Sequence, residues 1–191
     1  MMLQLFAEFN RRSMVGNLAP ELILENNFGG YTSTYGIDTK PYGLKILYFY
    51  DTNCITCKSE TPKLVQFLKE YSDSDLTFYA IYTQSDKSEW SDYIAKHFDN
   101  INNPKVDIVH LWDPEVESEF HKEYGVLTTP ALFAIDNSNT IVGRKLNGDV
   151  IKQIIELSHL NTSDNYYFFE ELLQSANNEE DILSIINSLE V

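Results

Sequence analysis

The chain has 191 residues, of which 43% are hydrophobic and 13% aromatic, so it can bury one sizeable core and is too apolar for wholesale disorder. Its 29 acidic and 14 basic residues give a formal net charge of −15, which opposes attraction to nucleic acid or to an anionic membrane. We therefore set a nucleic-acid function aside, and no stretch approaches the ~20 apolar residues of a membrane span.

The N-terminal segment is predicted to be a helix-like leader over about 2–12. It lacks the basic region and small-residue cleavage site of a signal peptide, and Glu8 interrupts its apolar stretch. The segment 21–37 is predicted to be extended or a hairpin, with its turn at Gly29-Gly30. Either an export signal lies outside this sequence or the protein is cytosolic, and its cysteine usage permits both compartments.

A buried strand followed by a helix is predicted around the two cysteines. Lys45 to Tyr50 form a near-continuous apolar and aromatic run, as in the centre of a sheet covered on both faces. A helix is predicted over 55–71, because apolar residues recur at i, i+3, i+4 and i+7 from Leu64. This arrangement would place Cys54 at the helix N-terminus, where free N–H groups and the helix dipole favour a thiolate.

Cys54 and Cys57 are the only cysteines of the chain, so none remains for a structural disulfide. A zinc site would need two more ligands, and no two histidines have H-x₃₋₅-H spacing. Covalent haem attachment would need histidine where Lys58 stands. Two buried, inert cysteines remain an alternative, but the strand-to-helix context favours a redox-active disulfide that needs no further cofactor and no metal.

Further strands and helices alternate along the chain, which predicts an α/β three-layer arrangement. Strands are predicted over 76–82 and 106–112, on either side of a helix over 88–98 that Asp86 or Ser88 caps. The spacing then predicts a helix over 114–124, with proline in its first turn and Gly125 at its end. A hairpin of the strands 131–135 and 140–146 follows.

The C-terminal part is predicted to be helical. A helix over 150–160, with Asp149 as its N-cap, would complete the domain. Two short apolar helices would follow within 161–191 and pack on the domain or on a neighbouring chain. The predicted organisation is therefore a leader over 1–14, one domain over 15–160 and a helical extension over 161–191, with no prediction of the oligomeric state.

This ordered set of motifs resembles the thioredoxin-fold thiol–disulfide oxidoreductases over roughly residues 15–158. Pro62, five residues after Cys57, matches the proline that kinks the active-site helix of that superfamily. Thr129-Pro130 matches its cis-proline, which lies opposite the cysteines. The resemblance implies a thioredoxin-like three-layer fold, with a central mixed sheet and helices on both faces.

The closest resemblance is to the extracytoplasmic TlpA/ResA-like branch. It rests on the segment 15–20, on Glu60 within Cys-x-x-Glu-x-Pro, and on the enlarged segment that precedes Pro130. Two positions depart from the pattern: Asn53 stands where tryptophan is usual, and Tyr48 stands where thioredoxins keep a buried aspartate. Glu60 is the candidate replacement for that aspartate.

The resemblance implies a role for each candidate residue of the site. Cys54 would attack a substrate disulfide and Cys57 would resolve the mixed disulfide. Glu60 would be a buried or half-buried carboxylate that mediates proton transfer to Cys57. The substrate-binding residues would be Asn53, Ile55, Thr56, Thr129 and Pro130, and the structural residue of the helix would be Pro62.

The implied partners are client protein disulfides and an upstream thiol electron donor, in a periplasmic or otherwise extracytoplasmic electron-transport role. Two rival functions remain open. A peroxiredoxin shares the fold, but its T-x-x-C motif would require threonine where Asp51 stands. A non-enzymatic binding module, in which the cysteines only lock the fold, is the other rival.

Overall fold

The computed structural model describes residues 11–36, 43–72, 75–114 and 117–152. The remaining parts of the predicted leader (1–10) and terminal helix (153–160), and the whole extension over 161–191, lie outside the described residues. The elements of the described part are β1 (Ile23–Asn26), β2 (Tyr31–Ser33), β3 (Leu44–Tyr50), α1 (Ile55–Glu70), β4 (Leu76–Tyr82), α2 (Lys87–His97), β5 (Val106–Trp112), α3 (Phe120–Glu123), β6 (Ala131–Ile135) and β7 (Ile141–Arg144). None of the described helices is long and apolar enough to cross a membrane.

The strands form one mixed sheet in the order β2-β1-β5-β4-β3-β6-β7. β3, β4 and β5 are parallel neighbours, which the α1 and α2 crossovers make possible. β6 pairs antiparallel with β3 and continues into the hairpin with β7, while the hairpin of β1 and β2 adds to the far edge through β5. The α/β fold predicted from the sequence, with its central mixed sheet, is confirmed.

Both faces of the sheet are covered by helices. Side chains alternate along β3, so Phe49 faces one side, where its ring packs on Phe120 of α3 at 5.3 Å. Tyr48 faces the other side and is hydrogen-bonded to Thr61 of α1. All seven residues of β3 are buried, which explains why its sequence is a continuous apolar run and not an alternating one.

The predicted helix over 114–124 is wrong in its extent, because α3 begins only at Phe120. The carboxylate of Asp113 accepts the backbone N–H groups of Glu117 and Ser118 and so stabilises a turn in place of a first helical turn. Glu119 then adopts a left-handed conformation, with φ 51°. Of the predicted features, only the last turn and the helix end at Gly125, with φ 66°, are present.

The helix that starts at Val150 is capped differently from the prediction. The side chain of Asn147, and not that of Asp149, accepts the backbone N–H groups of residues 149 and 150. Asp149 instead forms a 2.5 Å ion pair with Lys63 of α1. This contact holds the start of the C-terminal helix against the helix that carries the cysteines.

Candidate redox-active dithiol site

Cys54 is the N-cap of α1. Its backbone is extended (φ −70°, ψ 122°), and its sulfur accepts the backbone N–H of Cys57 at 3.1 Å. Cys57 is fully buried, while Cys54 is partly exposed. One sulfur is therefore open to a substrate and lies at a helix N-terminus, and the other lies behind it within the protein.

The Thr129–Pro130 peptide is cis, the isomer expected from the sequence. The thiol of Cys54 donates a hydrogen bond to the carbonyl oxygen of Thr129 at 3.2 Å. The sheet explains this proximity, because the first residue of β6, Ala131, pairs with Phe49 near the end of β3. The residues before β6 and the loop after β3 therefore emerge side by side at one sheet edge.

The two thiols have opposite electrostatic environments. Burial opposes ionisation of Cys54, but hydrogen bonds from the side chain and backbone N–H of Cys57 and from the side chain of Thr129 outweigh it and lower the pKa of Cys54 below its ordinary value. Burial raises the pKa of Cys57 to about 12, and its hydrogen bond to Cys54 adds to the rise. Near neutral pH, Cys54 is the thiolate-prone sulfur and Cys57 keeps its proton.

The loop before Cys54 is held by Glu89, a residue that the sequence analysis missed. The carboxylate of Glu89, in the first turn of α2, accepts the hydroxyl of Thr52 at 2.9 Å and lies 3.4 Å from the side-chain nitrogen of Asn53. Asp51 also accepts the backbone N–H of Asn53 at 2.7 Å. Asn53 is therefore positioned by two acids, and the only sequence signal for Glu89 was its place three residues after the N-cap Asp86.

Of the other predicted substrate-binding residues, Ile55 is the most exposed. It is 85% exposed, although a side chain of this type is usually buried. Thr56 is also exposed, and Thr129 and Pro130 are half-buried. Pro62 lies inside α1, where the sequence analysis placed it.

Glu60 lies on the buried side of α1 and is 9% exposed. Its carboxylate accepts the backbone N–H of Gly148 at 2.9 Å and lies 3.3 Å from the ammonium group of Lys63. The backbone approaches closely here, because a Cβ at position 148 would lie 2.8 Å from Lys63 Cβ. Glu60 therefore joins the active-site helix to the loop that precedes the C-terminal helix.

A group of buried tyrosines, which the sequence analysis did not assemble, surrounds Thr61, one helical turn after Cys57 on α1. Tyr48 and Tyr93 both form 2.8 Å hydrogen bonds with the hydroxyl of Thr61. The ring of Tyr50 stacks on both tyrosine rings, at 5.3 Å and 5.2 Å between centroids. Tyr48 occupies the position that the sequence analysis compared with a buried aspartate, and it is now seen to belong to a neutral hydroxyl network.

The chain was compared with known protein families, curated sequences and solved structures. The model of the AhpC/TSA family matches residues 15–144. No curated protein sequence matches the chain closely enough to serve as a relative.

Several solved structures share the fold. A thiol-disulfide oxidoreductase from Bacteroides fragilis is 21% identical, with a TM-score of 0.62, over 76% of this chain and 100% of its own. A thiol:disulfide interchange protein from Bacteroides sp. is 18% identical, with a TM-score of 0.64, over 81% and 95%. StoA from Bacillus subtilis is 19% identical, with a TM-score of 0.54, over 72% and 98%. These similarities show a thioredoxin-like fold over most of the chain.

Proposed function

The chain belongs to the AhpC/TSA family, and from this membership and the site geometry we propose that it is a thiol–disulfide oxidoreductase that reduces disulfides of client proteins. One observation carries the proposal: a partly exposed, thiolate-prone Cys54 caps a helix directly in front of a buried Cys57 whose pKa is about 12. This asymmetry separates an attacking sulfur from a resolving one.

The reaction would proceed by two exchanges. The Cys54 thiolate attacks one sulfur of the client disulfide, so a Cys54–client bond forms and the second client sulfur leaves as a thiolate. Cys57 then attacks the sulfur of Cys54, which forms the Cys54–Cys57 disulfide and releases the first client sulfur. The client gains two electrons and two protons, and an upstream thiol donor must return the pair to its reduced state.

We propose that the surface around Cys54 binds the client chain. Thr129 and Pro130 would lie against its backbone, and the exposed Ile55 and Thr56 would contact its side chains. Asn53, held by Asp51 and Glu89, would present a polar edge beside the reacting sulfur. The resemblance to the TlpA/ResA-like branch supports an extracytoplasmic location for this reaction, with the cytosol as the alternative.

Insulin reduction tests the proposal. We expect the wild type to precipitate the insulin B chain in the presence of a dithiol donor, and the Cys54→Ser, Cys57→Ser double variant to be inactive. Equal inactivity of both proteins would favour a binding module. Consumption of hydrogen peroxide that survives Cys57→Ser would favour a peroxidase that needs Cys54 alone.

The direction of electron flow is tested by the redox potential of the cysteine pair. A reductase needs a potential low enough to reduce client disulfides, near that of thioredoxin at about −270 mV. Equilibration with glutathione or dithiothreitol buffers, followed by thiol alkylation, would measure it. A value near about −120 mV, as in a dedicated disulfide donor, would contradict the reductase and indicate an oxidase.

The proposed proton-transfer role of Glu60 is tested by Glu60→Gln. This substitution keeps the shape of the side chain but removes a group that can exchange a proton, so exchange should slow by about a hundredfold, the low end of a general acid–base contribution. Glu70→Gln, at the exposed end of the same helix, is the matched control. An unchanged rate in a folded Glu60→Gln protein would restrict Glu60 to holding Gly148 and Lys63.

A further inference from the structure

Three hydroxyl groups meet at Thr61, one helical turn after the proposed resolving cysteine. Thr61 follows Cys57 by four residues on α1, so the two lie on the same helix face, and both are completely buried. Tyr48 of β3 and Tyr93 of α2 each bind the Thr61 hydroxyl at 2.8 Å. We call Tyr48, Thr61 and Tyr93 the hydroxyl cluster.

The hydrogen bonds of the cluster leave a proton available. Tyr93 donates to Thr61, while the bond between Thr61 and Tyr48 can run in either direction. When Thr61 donates to Tyr48, the phenolic proton of Tyr48 is free to turn toward another acceptor. A chain of donors that point the same way strengthens each bond in a buried site.

The cluster interacts electrostatically with Cys57. Burial raises the pKa of both Tyr48 and Tyr93, their hydrogen bonds to Thr61 lower it in part, and a charge on Cys57 raises it further. The two phenols therefore remain neutral at working pH. They can stabilise a nearby anion as hydrogen-bond donors and dipoles, but they cannot accept the proton that Cys57 loses.

The other groups around Cys57 do not all favour a thiolate there. Burial, the hydrogen bond to Cys54 and the negative charge of Cys54 raise the pKa of Cys57, whereas the backbone of Asp51 and the side chain of Thr129 lower it. Glu60, three residues further along α1, is also buried. Because Cys57 must become a nucleophile in a buried site, a neutral hydrogen-bond donor from the hydroxyl cluster would favour its thiolate without adding a charge.

We propose that the hydroxyl cluster stabilises the thiolate of Cys57 during the resolving step, a role that rests on the proposed dithiol exchange. In that step Cys57 attacks the sulfur of Cys54, the bond between Cys54 and the client breaks, and the client sulfur leaves with the electron pair. The proton lost by Cys57 is taken up by the departing client thiolate, either directly or by way of Glu60. The cluster gains and loses no atom, so its members are positioning residues.

Thr61→Val and Thr61→Ser form the matched pair that tests this role. Valine keeps the shape of threonine but removes the hydroxyl, and serine keeps the hydroxyl. Reduced protein is mixed with dithiodipyridine in a stopped-flow experiment, where the first release of thiopyridone reports the attack by Cys54. The second release reports the resolving attack by Cys57, so the two steps are measured separately.

We expect Thr61→Val to slow the second release about tenfold, which corresponds to about 1.4 kcal/mol, and to move its pH midpoint upward by about one unit. The first release should be unchanged, and Thr61→Ser should behave like the wild type. Tyr93→Phe removes the hydroxyl that donates to Thr61 without changing α1, and it should slow the second release and raise its pH midpoint as well. This variant provides the test if Thr61→Val does not fold.

Two results would overturn the role of the hydroxyl cluster. One is a folded Thr61→Val or Tyr93→Phe protein whose second release keeps the wild-type rate and pH midpoint. The other is a Thr61→Ser protein as slow as Thr61→Val, which would make the effect one of packing. Absence of both releases in the wild type would overturn the proposed exchange itself, a result distinct from either.

Discussion

Selective alkylation of the reduced protein tests the division of roles between the two sulfurs. With a pKa of about 12, Cys57 would be a thiolate in roughly one molecule in 10⁵ at pH 7, whereas a cysteine at the ordinary value of 9.0 is about 1% ionised. Cys54, whose pKa is lowered from that value, exceeds that fraction. The thiolate population therefore favours Cys54 by at least about 1,000-fold.

Intrinsic reactivity offsets part of this advantage. A thiolate of higher pKa is the better nucleophile, and a Brønsted slope of about 0.5 over roughly 3 pK units offsets this by a factor of about 30 in favour of Cys57. The expected preference for Cys54 is then at least about 30-fold, before the complete burial of Cys57 adds to it. Substoichiometric iodoacetamide at pH 7, followed by peptide mapping, measures this ratio. Equal labelling, or faster labelling of Cys57, would refute the assignment of attacker and resolver.

Two further predictions concern the scaffold of the site. Gly148→Ala should lower the free energy of unfolding by roughly 1–3 kcal/mol, because the new Cβ would meet Lys63 Cβ at 2.8 Å; urea unfolding measures this, and wild-type stability would contradict the close approach. Burial lowers the pKa of His110 to about 4, so below pH ~6.5 the unfolded state binds the extra proton and stability falls as the pH falls toward 4. The loss from His110 alone should be about 2 kcal/mol between pH 7 and 5, and an equally steep pH dependence in His110→Asn would contradict it.

Regular elements could be predicted from the sequence where a single local pattern dominates. β3 is recognisable because it is buried on both faces, and α1 because its apolar stripe follows the helical period. The start of α3 could not be predicted, because proline at position 114 suggested a helix start while the Asp113 carboxylate stabilises a turn. Side-chain hydrogen bonds decide between the helix start and the turn, and the hydrophobic periodicity of the sequence does not reveal such bonds.

The candidate site residues that lie within one sequence motif could be predicted, but the residues that contact them from distant parts of the chain could not. The cysteine pair and the residues before β6 are contiguous motifs, so each could be named from its own segment. Glu89 contacts Thr52 across 37 positions of sequence and Tyr93 contacts Thr61 across 32, and no local pattern links such pairs. The residues that position the loop before Cys54 and that bind Thr61 therefore become evident only once the sheet is assembled.

Tyr48 in place of an acid changes how the buried cysteine can be activated. A carboxylate at this position could accept a proton, but it would add a negative charge near Cys54 and Cys57, both of which become anionic in the proposed exchange. The phenol avoids that repulsion, because burial raises the pKa of Tyr48 far above the working range. It cannot act as a base, so the proton of Cys57 must leave by another route, to the departing client sulfur or by way of Glu60. The pH dependence of the resolving step should accordingly show no ionisation of the side chain at position 48. In Tyr48→Asp, the ionisation of the new carboxyl group should appear in that pH dependence.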